Sequence, residues 1–146
     1  MAVTSQFAPP SMARMRVERL TVAPASGAEP RVFTVEIAGS EQEKAVGLMF
    51  RTRLSDSEGM LFNYGRARVI TMWMRNTYIP LDMLFIRADG VVHRIEARTE
   101  PFSDRIISSG EPVAAVLEIA GGAAERLGLN PGDRVLHPAF GSKPPP

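Results

Sequence analysis

The dipeptide Asp89-Gly90 constrains this chain most, because it sits between two β-prone apolar runs, LDMLFIRA before it and VVHRIEA after it. Asp-Gly in that setting favours a two-residue turn with positive φ at both positions, and therefore an antiparallel hairpin. Counting outward sets a register: Ala88 opposite Val91, Ile86 opposite His93, Leu84 opposite Ile95 and Asp82 opposite Ala97, all on one face. Met83, Phe85, Arg87, Val92, Arg94 and Glu96 share the other, mixed face. The core is expected on the side of Leu84, Ile86, Val91 and Ile95, with Asp82 and His93 pointing toward it.

The rest of the chain supplies more strands than helices. VERLTV (Val17 to Val22) and RVFTVEIA (Arg31 to Ala38) alternate as strands do, and the loop between them holds Pro24, Gly27 and Pro30. GMLFNY and VITMWM read as two further strands. In EPVAAVLEIA, Val113, Ala115, Leu117 and Ile119 share one face of another. SEQEKAVGLMF opens a helix through a capping box between Ser40 and Glu43, with Ala45, Val46 and Met49 on its apolar face and Glu41 and Lys44 toward water. A second short helix runs from Ala123 to Leu127 and stops at Gly128. A turn at Asn130-Pro131-Gly132-Asp133 and a last strand from Arg134 to His137 follow it. The count is about eight short strands and two short helices, which predicts a mainly β (α+β) domain, a β-barrel or barrel-like sheet.

A chain of 146 residues, 45% hydrophobic and 23% charged, has the size and composition of one globular domain. Residues 1–16, with Pro9-Pro10, read as a mobile arm, 17–140 as the domain, and 141–146 as a disordered tail. With no cysteine, disulfides, thiolate metal sites and cysteine nucleophiles are excluded. A net charge of +1 gives no footprint for nucleic acid, although Arg51, Arg53, Arg66, Arg68 and Arg75 outnumber Asp56 and Glu58 in one stretch. No apolar run approaches the ~20 residues of a membrane helix, so a soluble chain is expected.

Chemistry-bearing residues concentrate in ITMWMRNTYIPLDMLF, Ile70 to Phe85, which holds the only tryptophan. In a strand, Met72 and Met74 point one way while Thr71, Trp73 and Arg75 point the other. The two thioethers are either flexible core filler or, with His93 or His137, soft ligands for Cu(I). Asn76 and Thr77 are turn formers, and Pro80 suits a strand start. Asp82, placed on a core face, needs hydrogen-bonding partners; Asn76, Thr77, Arg51 and Arg75 are the candidates. Gly121-Gly122 opens a helix and could approach an anion through its amides. No nucleophile elbow, phosphate-binding glycine loop or His-Glu-x-x-His helix is present.

The blocks EKAVGLMFRTRL, GMLF, MWMRNTYIPLDMLFI and SSGEPVAAVLEIAGGAAERLGLNPGDRV, in that order, resemble those of the bacterial and archaeal family known as domain of unknown function 192. The resemblance covers most of Val32 to Val135. It implies a compact mainly β domain, frequent in secreted or lipid-anchored bacterial proteins, with no established activity and no agreed catalytic residues. A periplasmic or envelope location follows from the resemblance, the N-terminal arm being what an export segment leaves behind; a complete chain would instead be cytoplasmic. The leading expectation is a noncatalytic binding or accessory module without cofactor or resident metal. Its partner would be a small ligand or a protein, held near Met72, Trp73, Met74, Asn76 and Asp82. The alternatives are an enzyme using Asp82 as general acid or base, and a Cu(I)-handling protein using methionine thioethers.

Overall fold

The structure, a computed structural model, describes residues 15–141. The arm and tail expected at the two ends fall almost wholly outside those residues. Among the described residues, nine strands and two α-helices follow in the order β1 (Val17–Ala23), β2 (Arg31–Ala38), α1 (Glu41–Val46), β3 (Glu58–Arg68), β4 (Thr71–Met72), β5 (Leu81–Ile86), β6 (Val92–Glu96), β7 (Ile107–Ser108), β8 (Val113–Ala120), α2 (Ala123–Leu127) and β9 (Arg134–Leu136). Seven strands form one sheet in the order β6-β5-β8-β3-β2-β1-β9, and β4 pairs with β7 in a small second sheet. Every neighbouring pair in the large sheet is antiparallel except β2 and β3, whose parallel pairing is permitted by the crossover through α1. The sheet curls until its edges meet. Val92 N donates to Asp133 O (2.8 Å), Gly132 N to Val92 O (2.8 Å) and Val135 N to Gly90 O (2.7 Å). The mainly β, barrel-like architecture is the expected one.

The curl separates two cores. Leu20, Phe33, Val35, Leu61, Leu84, Ile86, Leu117 and Ile119 fill the concave interior, which Ala123 and Ala124 of α2 plug. On the opposite face Met60, Phe62, Met72, Met74, Met83, Phe85 and Val116 form a second core. β5 is therefore buried along its whole length, while across the hairpin its outer face is mixed as expected, Met83 and Phe85 pairing with the half-buried Glu96 and Arg94. Val113 joins this second core rather than the interior. A register shift between Asn63 and Arg68 separates it from the alternation that places Ala115, Leu117 and Ile119 inward.

The β5–β6 hairpin departs from the expected register twice. Gly90 N donates to Arg87 O and Arg87 N to Val91 O, both at 2.9 Å. Gly90 has φ +88°, whereas Asp89 does not have a positive φ. The loop is thus three residues long with glycine in the left-handed position, not the two-residue turn the dipeptide suggests. Ile86 consequently pairs with Val92 rather than His93. A bulge at His93 then adds one residue to β6, and Leu84 meets Ile95 as counted from the sequence. His93 is turned toward Glu111, with Nδ1 3.2 Å from its carboxylate, instead of entering the core.

VITMWM is strand only at Thr71–Met72. Beyond it, Met74 N donates to Ser103 O (3.1 Å) and Thr77 N to Met74 O (3.2 Å), bending the chain. Asn76 completes the bend at φ +52°, a left-handed conformation that asparagine tolerates better than most residues. The stretch is a short strand, a turn and a core strand, but the two strands belong to different sheets.

Candidate functional site

A cleft of about 250 Å³ opens where α1 crosses the second core, between α1, β3 and β4. The helix is held by the predicted capping box: Glu43 N donates to Ser40 Oγ (3.0 Å), and Ser40 N donates back to Glu43 Oε1 (3.0 Å). The backbone N–H groups of Ser40 and Gly39, both donating to Glu43 Oε1, hold the Glu43 carboxyl below its ordinary range. Just past the helix, Gly47 has φ +51°, and an added Cβ would stand 3.0 Å from Phe62 Cζ. Only glycine lets the chain turn this close to the ring and leave the cleft open. Leu48, Phe62 and Met72 form its apolar walls, with the half-exposed Trp73 at the mouth.

Lys44 does not face water as the helical pattern suggests. Its side chain is 10% exposed and lies over the Tyr64 ring, 4.7 Å from the centroid. Nζ donates to Asn63 O (3.2 Å) and sits 3.2 Å from Glu41 Oε1. Tyr64 Oη donates to Met72 Sδ at 3.4 Å. Burial and the negative charge of Glu118 push the Tyr64 phenol up to about 12, so it remains protonated at any physiological pH.

Glu118 of β8 also lines the cleft, and it is 4% exposed. Its neighbours across the sheet are Met60 on β3 and Met83 on β5. Among the described residues its carboxyl group makes no hydrogen bond and no ion pair. A charge in such surroundings is costly, and burial raises the group to about 8, so it is mostly protonated at neutral pH. A lone acid in VAAVLEIA was visible in the sequence, yet strand alternation assigns it to a solvated outer face. The missing information was that a second core covers that face.

The residues singled out from sequence divide into two groups. Met72 and Trp73 line the cleft; Met74, Asn76 and Asp82 do not. Met74 is buried beneath the wall, its sulfur 3.2 Å from Thr99 Oγ1, whose single hydrogen also meets the Leu81 carbonyl at 2.9 Å. Asn76 shapes the turn, its carbonyl accepting from Phe50 N (2.9 Å). Asp82 is sealed, at 0% exposure, and its partners are not Asn76, Thr77, Arg51 or Arg75. Oδ1 accepts from Arg98 N (2.8 Å) and Gly122 N (2.9 Å), and Oδ2 accepts from Ala124 N (2.8 Å). The anion that the Gly121-Gly122 helix start receives is therefore the chain's own Asp82, which caps α2 across space where its N-cap, Gly122, has no side chain to do so.

The two sulfurs weighed for copper each lie against a hydroxyl, Tyr64 at Met72 and Thr99 at Met74, and both histidines are paired elsewhere, His93 with Glu111 and His137 with Glu18. Among the described residues no group of three or more His, Asp or Glu is placed to hold a metal ion. A second, more polar hollow beside β2 contains the bidentate Arg51–Glu36 pair, with nitrogen–oxygen distances of 3.1 and 2.7 Å. Among the described residues no helix is long and apolar enough to cross a membrane.

No curated protein matches the chain. A Sinorhizobium meliloti protein, provisionally described as a transcription regulator, has a similar solved structure. It is 44% identical, with a TM-score of 0.83 over 86% of this chain and 96% of that one. A protein of unknown function from Novosphingobium aromaticivorans is 42% identical, with a TM-score of 0.81 over 89% of this chain and 91% of that one. The family model of domain of unknown function 192, described as an uncharacterised ACR, matches residues 22–137, and the chain belongs to that family.

Proposed function

We propose that the chain is a noncatalytic module of the bacterial envelope that binds a small ligand in the cleft between α1, β3 and β4. The observation that carries this reading is Glu118, a buried acid lining an open cleft without a partner. Native structures satisfy nearly all buried polar groups, so an unsatisfied one facing a cavity points to a group that arrives from outside. The site keeps Met72 and Trp73 from the sequence expectation and adds Glu118 and Tyr64. Met74 and Asn76 brace its wall and its turn. General acid–base chemistry at Asp82 has no support, because both oxygens are committed to backbone amides in a site closed to solvent.

The regulator description of the S. meliloti relative would add a nucleic-acid partner. Here Arg51, Arg75, Arg94, Arg98, Arg105 and Arg126 are each paired with a carboxylate, and the net charge of +1 gives none of the basic excess such a partner requires. The test is a native mass spectrum of the protein isolated from its own source without denaturants. An added small-molecule mass, lost in Trp73→Ala, is the expected result. A bare protein whose Trp73 emission is also unmoved by a low-molecular-weight extract of the source cells would overturn the reading.

A further inference from the structure

Resting on that reading of the cleft, we propose that its ligand carries a primary ammonium group, bound with the Glu118 carboxylate as counter-ion. Of the polar side chains that line the cleft, Tyr64, Thr77 and Glu118 are the ones free to accept. Tyr64 Oη gives its hydrogen to Met72 Sδ (3.4 Å) and Thr77 Oγ1 gives its own to Arg75 O (3.0 Å), so each oxygen is left with lone pairs only. Both Glu118 oxygens are unbonded as well. A ligand acceptor such as a carboxylate would meet lone pairs at Tyr64 and Thr77, whereas an ammonium brings three donors and a charge. The apolar and aromatic walls, Phe62, Met72 and Trp73, suit the aliphatic or aromatic body of an amine.

None of the cations already at the cleft pairs with Glu118 among the described residues. Lys44 of α1 is held by Glu41 and the Asn63 carbonyl, and Arg75 is held by Asp104 (3.0 Å) and stacked 4.0 Å over the Trp73 ring. Arg68 lies over the Tyr64 ring, 5.2 Å from its centroid, and does not line the cleft. Directly opposite Glu118 on the flanking strands stand Met60 and Met83, and Tyr64 of β3 feels its charge. With the acid mostly protonated in the empty cleft at neutral pH, an arriving ammonium shifts it to the carboxylate and a proton leaves to solvent.

The experiment compares benzylammonium with benzyl alcohol, a neutral molecule of nearly the same shape, by Trp73 emission. Calorimetry in two buffers of different ionisation enthalpy counts protons. The ammonium is expected to bind at least about tenfold more tightly at pH 7, to release about one proton per molecule, and to gain affinity by up to about tenfold per pH unit until Glu118 is ionised. In Glu118→Gln, which keeps the shape of the neutral acid and can be checked for folding by circular dichroism, the preference and the proton release should both vanish. Equal or tighter binding of the alcohol, an undiminished preference in Glu118→Gln, or no response to either probe would overturn the ammonium assignment. The cleft itself stands or falls separately, on the native mass spectrum.

Discussion

Asp82 and Glu118 are both buried acids on adjacent strands of one sheet, and the register places them one position apart, Asp82 opposite Ile119 and Glu118 opposite Met83. They lie on opposite faces and have opposite fates. Asp82 receives three backbone N–H groups and ties β5, the chain after β6 and the start of α2 into one unit. Glu118 receives nothing from the described residues and is held neutral by its burial. The difference teaches that burial of a charge-bearing side chain does not mark a site. The census of donors around it does.

Removing the satisfied acid is expected to have the largest effect. Asp82→Ala leaves three backbone amides, two of them buried, without an acceptor, at roughly 3–5 kcal/mol in total, seen as a lower urea midpoint with unchanged slope. A loss below about 1 kcal/mol would erase the contrast. Neutralising the unsatisfied acid should act in the other direction and depend on pH. Because Glu118 is raised above its unfolded value, the folded chain keeps a proton that the unfolded chain gives up between the ordinary carboxylate range and about 8. Wild-type stability therefore falls as pH rises through that window and levels off above it, whereas Glu118→Gln lacks this dependence. The variant should gain on the order of 1.4 kcal/mol over wild type per pH unit across the window, measured by denaturation at a series of pH values. Parallel profiles would mean that Glu118 has a partner in solution. The smallest change is expected for Met72→Leu, less than about 1.5 kcal/mol, since apolar volume is kept and only the Tyr64 bond to sulfur is lost. A larger loss, or copper bound by wild type alone, would restore the thioethers to the chemistry.

Local chemistry was legible in the sequence. Ser40 and Glu43 announce α1, Gly128 stops α2, and Asn130 to Asp133 make the turn before β9, with Asp133 N bonded to Asn130 O at 3.1 Å. Each signal lies within a few residues of what it controls. The candidate site was half legible: Met72 and Trp73 stand out by composition, but Glu118 does not. Its meaning depends on β4 pairing with the distant β7 and on α1 folding over β3, contacts that close only once the sheet exists. Asp82 was legible as a buried acid and illegible in its partners, because Gly122 and Ala124 reach it across β8 rather than along the chain.

The hairpin between β5 and β6 behaves like a gene carrying two compensating frameshifts. The turn after Ile86 slips the reading of one strand against the other by a single position, and the bulge at His93 slips it back. Everything downstream is in frame again: Ile95 returns to the inner core and Arg98 arrives with its amide at Asp82. A one-residue deletion in the turn is then a lesion whose suppressor should lie not at a contacting side chain but at His93, where removing the extra residue would restore the frame that brings the Arg98 amide to Asp82.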